Sequence, residues 1–270
     1  MKDDIAHMLP DGFSYNRRYT SAFIERYHYH TVNSTQTLLK QVVQSFHPGK
    51  VYLVTADSQS AGIGQRVNKW YSPTGNIYAT FGFTYSSEQK DNFFCIPHTI
   101  ALSILHTLDK FGIKGTFKWV NDVYVNRKKI SGILVESIQS EKLPLYFILI
   151  GIGINVNVTL DVLDVVDQPV TSIAHEIGNV SLESVLQTLS VEVCNGMNIL
   201  FQDGFSSIRN SLFPRLEKFN NQIIVFEECE NRCVEGKIVG LDPKCGALIL
   251  RLKDGSITKY ISGRIIKTNV

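Results

Sequence analysis

Three things are scarce in this chain of 270 residues, and each scarcity closes off a class of protein. Cysteine is the first. The five thiols (Cys95, Cys194, Cys229, Cys233 and Cys245) are odd in number for so long a chain, which gives no disulfide framework and suits a reducing, cytoplasmic location. Long apolar runs are the second. The longest, YFILIGIGINV at 146–156, falls short of the roughly 20 helical residues that span a bilayer, and the opening MKDDIAHMLPDGFSYNRRY has no apolar signal core. No membrane partner is expected. An excess of one charge is the third: 27 basic residues are dispersed among 25 acidic ones, so no broad field draws a phosphate backbone and nucleic acid is not an expected partner.

The content that is present describes an ordinary globular chain, 44% hydrophobic and 19% charged, able to bury a core. Residues 23–32 (FIERYHYHTV) read as a strand, and a helix follows on the stripe Leu38, Leu39, Val42, Val43 and Phe46, with Ser34 as N-cap and Gly49 past its end. A strand at 51–55 leads into Gln59–Pro73, a long aperiodic segment carrying Gly62, Gly64, Arg66 and Lys69. Loops of that length are functional or disordered. Strands are predicted at 77–83, 116–120, 123–126, 129–137 and 146–154, with tight turns at Asn121-Asp122 and Arg127-Lys128. Helices are predicted at 98–111, from 181 onward, and at 206–219. After Asn220 the pattern changes to short strands at 222–227, 232–239, 247–252 and 257–261. The reading is a mixed α/β (α+β type) fold, a mixed sheet flanked by helices at 1–220 followed by a small β-barrel at 221–270.

Two candidate metal arrangements are weak. His28 and His30 share one strand face but have no nearby carboxylate in sequence, which favours two half-buried strand residues. Cys229 and Cys233 lack a second ligand pair, which favours two small core thiols.

The glycines of Gly62-Ile63-Gly64-Gln65-Arg66 would let backbone N–H groups approach a phosphate, although the string is neither a Walker A loop nor a dinucleotide fingerprint. Gly151-Ile152-Gly153 lies in a strand, where close backbone packing and a ligand contact are both open. Lys118-Trp119-Val120-Asn121-Asp122 and Lys129-Ile130-Ser131-Gly132 place cations and a carboxylate on short hairpins. Such a lysine can stabilise charge on a transferring phosphoryl group and such an aspartate can orient an amine, while a solvated turn is the plain alternative.

Taken in order, these strings resemble the biotin protein ligase family. Asn33-Ser34-Thr35 is similar to its biotin-binding segment, Gln59-Ser60-Ala61-Gly62 through Lys69-Trp70-Tyr71-Ser72-Pro73 to its ligand loop, and Lys118-Trp119-Val120-Asn121-Asp122 to its K-W-P-N-D motif. Lys129 through Glu136 and Gly151-Ile152-Gly153-Ile154-Asn155 follow at the family's spacing, so the resemblance covers about residues 22–265. It implies an SH3-like form for the C-terminal barrel. It also implies an ATP-dependent ligase that makes biotinyl-5′-AMP, with Mg²⁺ shielding the triphosphate, and passes biotin to a lysine of a biotin carboxyl carrier protein, a subunit of acetyl-CoA carboxylase. By the same resemblance Lys129 stabilises the phosphoryl charge and Asp122 orients the acceptor amine. Ser34, Thr35, Gln59 and Gly132 bind biotin; Trp70 and Asn155 contact the adenylate; Gly62, Gly64, Arg66, Lys118 and Asn121 complete the substrate-binding set. About twenty residues precede the first predicted strand, so the DNA-binding domain of the repressor type is not expected, and the choice between monomer and homodimer stays open.

The ligand loop departs from the family's G-R-G-R-x-G. Ile63 and Gln65 stand at the arginine positions, Val67 at the third glycine, and Arg66 is displaced by one. Two alternatives follow: a lipoate or octanoate transferase of the same superfamily, and a ligand-binding homologue without chemistry.

Overall fold

The computed structural model describes residues 15–20, 24–86, 92–163, 168–218, 221–228 and 232–268. Their contacts divide into two compact units, each assembled from two stretches of chain: the described parts of Met1–Lys90 with Arg127–Leu186, and of Asp91–Asn126 with Gln187–Val270.

The first unit is built on strands β1 (Tyr15–Thr20), β2 (Ile24–Val32), β3 (Val51–Gln59), β4 (Ile77–Ser86), β7 (Lys128–Gln139) and β8 (Leu145–Ile154), ordered β1-β2-β3-β4-β8-β7. The β2–β3 pair is parallel and its neighbours are antiparallel, so the sheet is mixed. A parallel pair needs a crossover. Helix α1 (Thr35–Gln41) supplies it, with Ser34 in extended conformation as its N-cap and the Ser34 hydroxyl accepting from Thr37 N–H. The apolar stripe read from the sequence is divided: the helix ends at Gln41, and a 3₁₀ turn at Val43–Ser45 carries the chain on so that Phe46 stacks on Tyr52 with ring centroids 4.3 Å apart. Tyr27, Tyr29, Leu38, Leu39, Phe46, Tyr52 and Phe147 form the core beneath α1. Burying each such side chain contributes about 1.5–3 kcal/mol, which fixes the helix against one face of the sheet.

The second unit holds α2 (Ile96–Lys110), the hairpin β5 (Thr116–Lys118) and β6 (Asp122–Val125), and α4 (Phe205–Leu212). It also holds an antiparallel sheet of β9 (Ile224–Glu227), β10 (Cys233–Leu241), β11 (Leu248–Leu252), β12 (Ile257–Tyr260) and β13 (Arg264–Thr268), ordered β12-β11-β10-β9-β13. Helix α3 (Leu182–Asp203) begins in the first unit and continues in the second. Trp119 lies near Phe226 at 5.7 Å and donates its indole N–H to the Gly246 carbonyl at 3.2 Å. Asp242 clamps the β10–β11 turn: its carboxylate accepts from the N–H groups of Lys244 and Cys245 and from Lys259 Nζ at 2.7 Å. Those donors, Lys259 first, hold its pKa well below the usual carboxylate range.

Several expectations change. Strand β1 precedes the first predicted strand, and β13 adds a fifth C-terminal strand. Asp122 and Lys128 are strand residues; the tight turn between β6 and β7 falls on Asn126 and Arg127, both at positive φ. The helix expected at 206–219 ends at Leu212, because Pro214 follows and cannot donate to a continuing helix. His28 and His30 do have a carboxylate. The parallel register brings Asp57 beside them, 3.2 Å from His28 Nε2 and 2.9 Å from His30 Nδ1. Cys233 is exposed and not a core thiol, and Cys229 lies outside the described residues. Among the described residues no three His, Cys, Asp or Glu side chains are grouped to hold a metal, and no helix is long and apolar enough to cross a membrane.

Candidate functional site

The segment between β3 and β4 is a folded-back flap. Gln59 N–H donates to Ser72 O, Trp70 N–H to Gly62 O and Gly64 N–H to Asn68 O, and Ile63 pairs with Lys69 across the two limbs. Its tip is a 3₁₀ turn at Gln65–Val67 in which Arg66 takes the left-handed conformation (φ 55°, ψ 39°) and lies exposed. Gly62 is obligatory, because a β-carbon there would sit 2.4 Å from Trp70 O and 2.5 Å from Ser72 Oγ.

The flap carries Trp70 onto the sheet. Gly132 of β7 and Gly153 of β8 are direct partners in the antiparallel register, and the indole lies across both. A β-carbon on Gly153 would meet Trp70 Cε2 at 2.4 Å, and one on Gly132 would meet Cζ3 at 2.8 Å. The two glycines therefore act as the floor of a groove now filled by an aromatic ring. Lys129 Nζ stands 5.2 Å from the centre of that ring. Its backbone is held on both sides, by Lys129 N–H to Pro169 O and Thr171 N–H to Lys129 O, each 2.9 Å. The Trp70 indole N–H is buried and makes no hydrogen bond among the described residues.

A polar end adjoins the floor. Gln59 Oε1 accepts from the N–H of Thr35 at 2.9 Å and from its hydroxyl at 3.2 Å, while Gln59 Nε2 donates to Ser72 Oγ at 2.9 Å. Ser72 donates onward to Trp70 O at 2.8 Å, and Thr80 donates to Thr35 Oγ1 at 2.9 Å. The network ties the helix start, the strand end and the flap together, so the flap's position is coupled to the hydroxyl groups at the groove's end.

Of the residues expected from sequence, Ser34, Thr35, Gln59, Gly62, Gly64, Arg66, Trp70, Lys129, Gly132 and Asn155 belong to the first unit. Asn155 is buried and committed to structure: its Nδ2 donates to Thr171 O at 3.0 Å. Lys118, Asn121 and Asp122 belong to the second unit, on and between β5 and β6, where Lys118 Nζ donates to Tyr124 OH at 3.1 Å. Burial, and next the Asp122 charge, push the Tyr124 phenol up, so it stays protonated as a neutral partner. The peptide bond Trp119–Val120 between them is cis. Sequence reasoning placed Ser72 in the ligand-loop string without a role of its own and missed Thr80. The signal for Thr80 was a hydroxyl residue inside the apolar stretch from Ile77 to Phe83 of β4.

Comparison with known proteins bears on the family of the chain. Residues 28–155 match the biotin/lipoate A/B protein ligase family, and residues 220–268 match the biotin protein ligase C-terminal domain. The bifunctional ligase/repressor BirA of Escherichia coli (strain K12) is 28% identical over 236 residues, covering 87% of this chain and 71% of that one. Its Bacillus subtilis (strain 168) counterpart is 34% identical over 137 residues, 48% of this chain and 40% of the other. The biotin–[acetyl-CoA-carboxylase] ligase of Paracoccus denitrificans is 29% identical over 207 residues, covering 73% and 83% of the two chains. The fold matches the Aquifex aeolicus biotin protein ligase solved with biotin and ATP, at a TM-score of 0.73 and 24% identity over 91% of this chain and 98% of that one. With both parts matched in order along the sequence, the chain belongs to the biotin protein ligase family.

Proposed function

We propose that this protein activates biotin with ATP and transfers it to a lysine of a biotin carboxyl carrier protein. The observation that carries the reading is the glycine-floored groove covered by Trp70, with Lys129 at its edge and the Thr35–Gln59–Thr80 hydroxyl and amide groups at its end. Biotin is a fused bicycle with a polar ureido edge and an acyl chain. It needs a flat apolar slot with a few fixed hydrogen-bonding groups at one end, which is the character of this groove.

In the first step a biotin carboxylate oxygen bonds to the α-phosphorus of ATP and the bond to pyrophosphate breaks, giving biotinyl-5′-AMP. Charge grows on the phosphoryl oxygens, and Lys129, fixed by its backbone to the segment 169–171, is the cation assigned to it. In the second step a lysine amine attacks the mixed anhydride carbonyl and AMP leaves; Asp122 is assigned to orient that amine. Trp70, Gly64 and Arg66 of the flap are assigned to the adenylate, which must be screened from water. Mg²⁺ is taken to arrive as part of the nucleotide, shielding the triphosphate. The C-terminal sheet, residues 221–270 in this reading, is assigned to support of the nucleotide or the acceptor.

Incubation with ATP and, separately, biotin, lipoate or octanoate, with mass detection of the acyl-adenylate, tests the reading. Biotinyl-AMP with biotin alone supports it. Adenylate from lipoate or octanoate and none from biotin replaces it with the lipoyl-type alternative, and no adenylate from any acid overturns the enzymatic reading.

A further inference from the structure

One buried acceptor in the first unit is aimed at the groove and is used by nothing around it. Gln36, on the first turn of α1, is buried, and its Oε1 makes no hydrogen bond among the described residues. That oxygen lies over Gly151, 2.8 Å from where a β-carbon would be. Gly151 is one rung along β8 from Gly153 on the same face, so Gln36 Oε1 extends the glycine floor beyond the Trp70 ring.

The orientation of this amide is fixed by charge. Gln36 Nε2 donates to Glu136 Oε2 at 2.9 Å and approaches Leu149 O at 3.5 Å, while Lys40 Nζ holds the other Glu136 oxygen at 2.7 Å. A carboxylate paired with a lysine can only accept, and so can a carbonyl. The NH₂ end must therefore face Glu136, which leaves the carbonyl oxygen turned to the floor. Leaving such an acceptor buried and unpaired is costly, and the cost disappears if a ligand brings an N–H to it.

Resting on the biotin reading above, we propose that Gln36 is a specificity-determining residue whose Oε1 accepts a hydrogen bond from a ureido N–H, with Glu136 and Lys40 as positioning residues that hold the amide the right way round. A cyclic urea has that donor, and a dithiolane or plain fatty acyl chain has none. The site would thus discriminate by the penalty for leaving Gln36 unmet, the form of recognition that rejects an analogue lacking the group most strongly.

The test is calorimetric titration of the full-length protein with biotin, with biotin methylated on one or the other ureido nitrogen, and with octanoate. Gln36→Met keeps the side chain's length and removes the acceptor; Glu136→Gln keeps the packing and removes the charge that orients the amide. Wild type is expected to bind biotin and to lose about 10- to 100-fold on methylation of one nitrogen. Gln36→Met should lose a similar factor for biotin, show no further loss with that methylated ligand, and leave octanoate binding unchanged; Glu136→Gln should give a smaller loss of biotin affinity. Should Gln36→Met bind biotin as tightly as wild type, or remain sensitive to methylation, the inference fails while the ligase reading stands. Should wild type bind no biotin, the ligase reading fails and takes this one with it. If Gln36→Met unfolds, Glu136→Gln decides: an unaltered biotin affinity there overturns the orienting role, and a wild type that binds both methylated biotins as tightly as biotin overturns the acceptor.

Discussion

The ring of Trp70 lies so close on Gly153 that a single methyl group at that position would overlap the indole, reaching within 2.4 Å of Cε2 and 2.5 Å of Nε1. In the proposed reading biotin takes the place of the ring on this floor, so its entry moves the indole away. Of the two tryptophans, Trp119 is buried and hydrogen-bonded to Gly246 O, which makes Trp70 the reporter. Biotin is expected to change the intrinsic fluorescence of the wild type and to leave that of Trp70→Phe unchanged. A change of equal size in Trp70→Phe assigns the signal to Trp119 and counts against movement of the Trp70 ring.

Gly153→Ala should push the indole off the floor and narrow the groove together. Acrylamide quenching of Trp70 should rise, and biotin affinity should fall by at least tenfold, since the methyl is rooted on a paired strand and cannot move out of the groove. Quenching equal to that of the wild type would count against the close packing.

Lys129→Ala is expected to lower single-turnover pyrophosphate release by about 10²–10³-fold, the usual loss when one preorganised electrostatic group is removed. Its contact with the Trp70 ring contributes only about 0.5–1 kcal/mol, so loss of that contact accounts for a shift of a few degrees in the thermal midpoint. Pyrophosphate release at the wild-type rate removes Lys129 from the reaction.

Arg66 is exposed at the flap tip, and Gln65 beside it stands at an arginine position of the family motif. If Arg66 guards the intermediate, Arg66→Ala should speed biotinyl-AMP release about tenfold to a hundredfold, and Gln65→Arg should add little. Gln65→Arg slowing release while Arg66→Ala does nothing assigns the contact to the other position. No change in either variant removes an arginine from the flap's role.

His98 is buried between the rings of Phe117 and Phe205, with Nδ1 3.2 Å from Phe94 O, and burial brings its pKa down to about 4. The unfolded chain binds a proton near pH 6.5 that the folded protein refuses until about pH 4. Stability is therefore complete above pH 6.5 and declines as the pH falls through that window, by about 3 kcal/mol at its foot. Urea midpoints from pH 7 to 4 should show the decline, and His98→Gln should flatten it. Asp242 and its lysine act only further down, near and below the ordinary carboxylate range. An unaltered slope in His98→Gln would falsify the assignment.

What could be read from sequence was whatever depends on neighbours along the chain. Ser34 announces a helix because its hydroxyl serves an N–H three residues on, and β8 announces itself by apolar content. The site's ordered strings were legible for the same reason. The glycine floor was not, because it requires residues 132 and 153 to meet in register, and sequence spacing carries no register. Asp57 beside His28 was hidden likewise, since a parallel pairing through α1 sets that contact. Pro214 was a stop signal in plain view, outweighed by the apolar period around it. Gln36 was invisible as a site residue: whether a buried amide offers its oxygen or its nitrogen depends on what lies behind it.

The interleaving of the two compact units bears on how the chain is made. A ribosome emitting about 5–20 residues per second finishes the first stretch of the first unit, then the first stretch of the second, before either can close. The strands that complete the first sheet emerge only after residue 126, and the partner stretch for α2 and the β5–β6 hairpin only after residue 187. During that interval the nascent segment 91–126, which includes Ile100, Ile104, Leu105, Phe117 and Trp119, has its apolar side chains without their later cover. Slowing translation beyond residue 126 should therefore lengthen that exposure and increase aggregation instead of relieving it.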